Sequence, residues 1–212
     1  MPVKDGQATR RRLLDAAAAE FAAYGIAGAR VDRIAATAKA NKAQLYAYFG
    51  DKDRLFDTVF QEHAGDLVNA VPMTARDLPG YAVGIYDACL AKPDLVRLAT
   101  WARLERRPAG DLVTTMAEET GQKLSAIADA QRDGHIDPAL APADVLAMVS
   151  MMALTWSPAS LFYAATPADP ETDHQRRREA LAEMVRRGFC PADPHGVATV
   201  SGTATPPRPT IP

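Results

Sequence analysis

Residues 31–49 constrain this chain more than any other stretch. Ile34, Ala35 and Ala38 recur at helical spacing, and Leu45 and Phe49 resume the pattern after a short polar break. Asn41 sits where the second helix must begin, and its side-chain oxygen can cap a free backbone N–H there. Two helices this short cannot bury a core between them, so a third must back them. What the pair then offers outward is a helix narrow enough for the major groove of DNA.

A helix turns by about 100° per residue. With Leu45 inward, Ala43 and Ala47 point away from the core, Gln44 and Tyr46 flank them, and Lys42 stands at the helix start. The two alanines allow close backbone approach to base edges and can touch a thymine methyl. Gln44 has the donor and acceptor for a bidentate contact to adenine. Lys42 and Tyr46 reach sideways toward phosphates, and the helix N-terminus itself attracts anions.

The flanks supply the missing support. Residues 9–25 carry an apolar helical stripe of Leu13, Leu14, Ala17, Phe21 and Tyr24, with Thr9 or Asp5 available as a cap and Gly25 and Gly28 to end it. Gly50 closes the second helix of the pair. Asp51 can cap a long amphipathic helix over 52–69, marked by Leu55, Phe56, Val59, Phe60, His63 and Leu67. Lys52 falls in its first turn, a poor place for a cation unless an anion such as phosphate is near.

Residues 9–60 resemble the DNA-binding domain of the TetR-type transcriptional regulators. The resemblance rests on Thr9-Arg10, Leu14-Asp15-Ala16-Ala17, Phe21 and Gly25, then Val31-Asp32-Arg33-Ile34-Ala35, then Leu45-Tyr46-Ala47-Tyr48-Phe49-Gly50-Asp51-Lys52-Asp53. It implies base and phosphate contacts from Lys42, Ala43, Gln44, Tyr46 and Tyr48, and a phosphate contact from Lys52. There are departures. Many members carry Gly-Val-Ser through the turn, where this chain has Lys39-Ala40-Asn41, and Lys39 lacks the easy left-handed conformation of glycine. Arg30 replaces a threonine that often caps the first helix of the pair. Arg30 and Arg33 instead bring cations close to the DNA backbone.

Charge agrees with this division. The net charge is −2, yet residues 1–55 hold ten Lys and Arg against six Asp and Glu, and the remainder holds fourteen against twenty. A positive head on a negative body suits DNA contact by the head alone. Cys89 and Cys190 are too few and too far apart for a disulfide framework or a zinc site, and Cys89 lies on an apolar stripe. Residues 1–12 carry no apolar run, no stretch approaches the roughly 18 apolar residues of a membrane span, and a cytoplasmic location is expected.

Beyond residue 70 the chain reads as helices near 78–91, 94–106, 111–133, 143–157 and 173–187, with prolines at or before their starts and Gly134 and Gly188 after ends. No period-two pattern of useful length occurs, so the fold class is all-α. The expected organisation is a helix-turn-helix domain over 1–50, a helical effector-binding and dimerisation domain over 51–188, and a disordered tail over 189–212. Residues 143–163 are apolar on more than one side and so require a partner beyond their own core. With the helix at 173–187 they suit half of a symmetric four-helix interface. The resemblance implies the same homodimer. It also implies an effector pocket in the body, for which Tyr81, Tyr86, Trp101, Leu104, Met116, Met148, Met152 and Trp156 are candidate walls, with Arg97 and Arg103 able to orient an acidic ligand.

Nothing in the sequence builds a catalytic or metal constellation. Glu62, His63 and Asp66 share one helix face without a second cluster, His135 and His174 lack a nearby nucleophile, and no phosphate-cradling glycine loop follows a strand. The expectation is a regulator without cofactor that is not an enzyme. It binds a palindromic DNA operator as a homodimer and is released by an unknown small molecule. An activator of the same fold, or a body answering to a protein partner, stays open as the alternative, with a helical enzyme more remote.

Overall fold

The structure, a computed structural model, describes residues 2–110, 112 and 117–191, with side chains from Gly6 onward except at 64 and 66–68. Among the described residues it is helical without strands. Helices α1 (Pro2–Gly28), α2 (Val31–Thr37) and α3 (Lys42–Phe49) form the head. Helix α4 (Lys52–Val68) leads to a body of α5 (Leu78–Ala91), α6 (Pro93–Glu105), α7 (Ala117–Arg132), α8 (Pro142–Ala153) and α9 (Glu171–Phe189).

Two apolar clusters hold these elements. The first joins Leu13, Leu14 and Phe21 of α1, Ile34 of α2, Leu45 and Phe49 of α3, Leu55, Phe56 and Val59 of α4, and Leu98 and Ala102 of α6. Phe21 meets Phe56 edge-on with centroids 5.1 Å apart. The second joins Leu78, Tyr81 and Tyr86 of α5, Ile127 of α7, Val145 and Val149 of α8, and Leu181, Val185 and Phe189 of α9. Each fully buried Leu, Val or Phe contributes about 1.5–3 kcal/mol. The head's core thus does not stop at Gly50: it takes in the first half of α4 and one face of α6.

Several boundaries differ from the sequence expectation. Helix α1 starts at Pro2, so Thr9 is no cap; it lies inside the helix, and its hydroxyl accepts a 2.9 Å bond from Arg12. The helix breaks at Gly25 (φ 71°, ψ −179°) before a last turn to Gly28. Helix α8 ends at Ala153, not 157. Residues 154–157 form tight turns, because Pro158 offers no N–H and disfavours helix at the residue before it. Helix α9 runs through Gly188 to Phe189, whose buried ring belongs to the body core and whose carbonyl accepts from Asp137 N at 2.8 Å. Phe189 therefore belongs to this helix and not to the expected tail, of which residues 192–212 lie outside the described residues, as do 111 and 113–116 at the expected start of α7.

Candidate nucleic-acid interface

Helix α3 buries Leu45 and Phe49 and leaves Ala43, Gln44, Tyr46, Ala47 and Tyr48 exposed. Asn41 caps it from extended backbone: its side-chain oxygen accepts from Gln44 N at 2.8 Å, and Gln44 Oε1 accepts from Asn41 N at 3.0 Å. The reciprocal pair satisfies two otherwise orphaned donors, worth about 1 kcal/mol. It was legible as Asn-x-x-Gln and was missed. A bidentate contact from Gln44 to adenine would share or open this bond, since Gln44 Oε1 already accepts from Asn41 N.

Two other polar residues of the face are also tied. Lys42 Nζ lies 2.6 Å from Asp32 Oδ1 of α2. Both are exposed, so the pair contributes at most about 1 kcal/mol and yields readily to a phosphate. The Tyr48 hydroxyl donates to Gly6 O at 3.1 Å, fastening α1 to α3. Tyr46, 47% exposed, makes no such bond among the described residues. In the turn, Lys39 holds φ at 51°, alone among described non-glycine residues, and the chain accepts that strain where glycine would avoid it.

Behind the pair sits a buried charge that sequence reasoning missed. Glu20, 8% exposed, accepts from Arg30 N and from Arg33 Nε, each at 2.8 Å. Arg33 also donates to Gly28 O at 3.2 Å and stacks its guanidinium 4.2 Å from the Tyr24 ring centroid. Burial alone would raise the Glu20 pKa. The bonds from Arg33 and Arg30, and their positive charge, outweigh it and hold the carboxyl below its ordinary value. Arg33 is therefore part of an internal joint, whereas the Arg30 side chain is exposed. A lone carboxylate on the apolar stripe of Ala16, Ala17 and Phe21 was the available signal.

Lys52 resolves an electrostatic oddity. Its ammonium donates to Ala27 O and Ala29 O, each at 3.3 Å, so it sits beside the negative C-terminal end of α1. An ammonium has three donors, and one remains for a phosphate.

Helix α6 grips the break in α1 with three residues on one face. Arg97 donates to Ala22 O (2.7 Å) and Ala23 O (3.2 Å), and Trp101 Nε1 donates to Ala22 O at 3.4 Å. The Glu105 carboxylate accepts from Ile26 N (3.2 Å) and Ala27 N (2.9 Å). A Cβ at Gly25 would come within 2.7 Å of Glu105 Oε1 and 3.0 Å of the Trp101 ring, so both the left-handed φ and the close approach require glycine. Carbonyls freed before the break meet a cation and N–H groups freed after it meet an anion.

This reassigns several proposed pocket walls. Trp101 and Arg97 serve the α1–α6 joint, and Arg103 donates to the Arg107 and Gly110 carbonyls. Leu104 and Met148 are 65% and 51% exposed. Tyr81 and Tyr86 are buried in the body core, with Met152 and Trp156 packed against that core and Trp156 edge-on to Tyr86 at 5.9 Å. Met116 lies outside the described residues. Of the described candidates, Tyr81, Tyr86, Met152 and Trp156 gather at the body core, while Trp101 lies at the α1–α6 joint and Leu104 and Met148 face solvent. Cys89 is buried, and burial pushes its thiol up to about 11. Among the described residues no three His, Cys, Asp or Glu side chains gather as metal ligands, and Glu62 pairs with Arg10 and Arg11.

A short helix pair backed by α1, turning one helix face to solvent at the end of a helical body, defines a helix-turn-helix DNA-binding regulator. Residues 13–59 match the family model for bacterial regulatory proteins of the tetR family, and 77–187 match the tetracyclin repressor-like C-terminal domain. The chain is 40% identical to the HTH-type transcriptional repressor SCO4008 of Streptomyces coelicolor over 72% of its own length and 80% of the relative's. The crystal structure of the transcriptional regulator SCO4942 from the same organism superimposes with a TM-score of 0.70 at 41% identity, covering 85% of this chain and 98% of that one. A gamma-butyrolactone receptor (ArpA-like protein) shares the fold at a TM-score of 0.60 and 18% identity, over 88% and 90% of the two chains. The chain belongs to the TetR family and is a DNA-binding transcriptional regulator. No described helix is long and apolar enough to cross a membrane.

Proposed function

We propose that this protein is a cytoplasmic homodimeric repressor that reads a palindromic operator with two copies of α3 and leaves it when a small effector binds. The observation that carries the reading is the face of α3: Ala43 and Ala47 lie exposed at its centre, with Lys42, Tyr46 and Arg30 around them and Lys52 at the start of α4. Small central side chains permit approach to bases, and the cations engage phosphates. The relative named as a repressor supports the sign of regulation.

Dimerisation through α8, α9 and the segment joining them places the two heads to read half-sites about 34 Å apart. Met148, Met151 and Met184 are each more than half exposed, and Leu161 and Phe162 are 96% and 100% exposed, an apolar surface suited to a second copy. An effector acts by preferring the conformation that does not bind DNA, and an almost complete switch needs about 5.5 kcal/mol of preference.

Fluorescence anisotropy with a selected duplex tests the reading. Lys52→Ala is expected to weaken all duplexes alike and reduce the salt slope by about one. Gln44→Ala is expected to relax sequence preference. Unchanged affinity and salt slope in Lys52→Ala would remove the phosphate role. In sedimentation, Phe162→Ser with Met151→Ser is expected to give monomer, and a persistent dimer would place the interface elsewhere.

A further inference from the structure

Where the first half of α4 lies against the end of α6, the structure holds a cleft of about 230 Å³. Phe56, Phe60 and Ala102 give it an apolar floor, and Asp57, Arg106 and Arg107 stand at its rim. The floor belongs to the head's apolar cluster, separate from the body core that encloses Tyr81 and Tyr86. The Phe56 and Phe60 rings lie almost parallel, 7° apart in plane with centroids 6.1 Å apart. A cavity below the roughly 300 Å³ at which sites for drug-sized ligands begin has room for one ring and a small substituent.

The rim states the charge of that substituent. Arg106 and Arg107 line it with Asp57, and Arg106 already holds Asp57 Oδ2 at 3.0 Å and Asp53 O at 3.3 Å, with Asp53 Oδ1 3.8 Å away. Its fork therefore binds an internal carboxylate that sits partly in solvent, a contact that an external carboxylate can replace.

We propose that the α4–α6 cleft binds a small anionic amphipath, an apolar ring bearing one carboxylate. The ring lies on Phe56, Phe60 and Ala102, and the carboxylate takes Arg106 from Asp57. Asp53 and Asp57 occupy the first two turns of α4, just beyond the reading helix. Releasing them from Arg106 unties α4 from α6 at the head. The consequence for DNA rests on the repressor reading above; binding in the cleft does not.

Calorimetric titration of the full chain with benzoate as probe, and with neutral benzamide as control, tests the site. Benzoate should bind saturably and benzamide at least about tenfold more weakly. Arg106→Gln should cost benzoate at least about tenfold, Phe60→Trp should block the floor, and Asp57→Asn should tighten benzoate several-fold by removing its competitor. No saturable benzoate binding, equal affinity for benzamide, or weaker binding in Asp57→Asn overturns the site. Should Arg106→Gln or Phe60→Trp fail to fold, the benzamide comparison and Asp57→Asn still decide. In a parallel anisotropy assay benzoate should weaken duplex binding several-fold. Binding of benzoate without that change overturns the regulatory consequence alone, and a protein that binds no duplex overturns the repressor reading while calorimetry still judges the cleft.

Discussion

In the head, a buried carboxylate gathers positive partners: Glu20 takes the Arg33 guanidinium and the Arg30 N–H, and so fixes α2 against α1. In the body, a buried cation is gathered instead. Arg177, 4% exposed, pairs with Asp169 at 2.8 Å, and Asp169 also accepts from the Tyr163 and Thr166 hydroxyls, while the Tyr86 hydroxyl shares a 2.7 Å hydrogen bond with His174. Each internal knot supports an outward face of different chemistry. Glu20 steadies a helix pair that displays alanine, tyrosine and cations. Asp169 and Arg177 steady the segment that displays Leu161 and Phe162. One face suits a polyanion and the other a second protein surface, and an ion pair with at least one buried member serves both by holding backbone in place.

The largest expected effect comes from breaking the body's knot. Arg177→Leu leaves Asp169 without its ion-pair partner and should lower the urea unfolding midpoint the most, and should reduce the dimer fraction expected in sedimentation. Glu20→Ala should cost less, about 2–3 kcal/mol, and should weaken DNA binding while sparing the dimer. If the two variants exchange these phenotypes, the division between the faces is wrong. At the joint between them, Glu105→Ala should speed hydrogen exchange at the Ile26 and Ala27 amides by roughly tenfold or more, with exchange in α9 unchanged.

Acid should loosen both knots. Both carboxyls are held low in the folded state. The Tyr163 bond and then those of Thr166 and Arg177 bring Asp169 to about 2 against its burial, and Glu20 lies below its ordinary value. A depressed folded pKa gives stability that is present in full above the unfolded value near 4 and is lost as pH falls through the folded one. Thermal midpoints should therefore fall from about pH 4 downward as both carboxyls take up protons, with most of the Asp169 contribution gone by about pH 2. Glu20→Gln should flatten the upper part of that curve, and an unaltered curve would deny Glu20 its role. The smallest effect is a gain: Lys39→Gly should stabilise the head by up to about 1 kcal/mol, measured by thermal unfolding, because glycine adopts the left-handed turn without strain.

Head and body also differ in what the sequence disclosed. Leu45 and Phe49 faced inward, Asn41 and Asp51 capped, and Gly134 turned left-handed after α7, because short-range periodicity and capping decide those features. What the polar side chains do was less legible. Lys42, Gln44, Arg33 and Lys52 were read as facing DNA, yet in the free protein each is engaged with Asp32, Asn41, Glu20 or the end of α1. Those partners lie up to 25 residues away and depend on how helices pack. The body misled further. Aromatic and methionine residues at helical spacing give the same pattern whether they line a cavity or fill a core, and Tyr81 and Tyr86 fill a core. Trp101 was placed in a pocket because nothing local reveals that α6 crosses α1 at Gly25.

The central claim is that α3 lies in the major groove with Ala43 and Ala47 toward the bases. Selection of bound duplexes from a random pool, run side by side with the natural chain and Ala43→Asp, tests it directly. The natural chain should enrich a sequence with twofold symmetry, and the variant, bringing a negative charge to the bases, should enrich none. Failure of the natural chain to enrich any sequence, or enrichment of the same sequence by both, would contradict it.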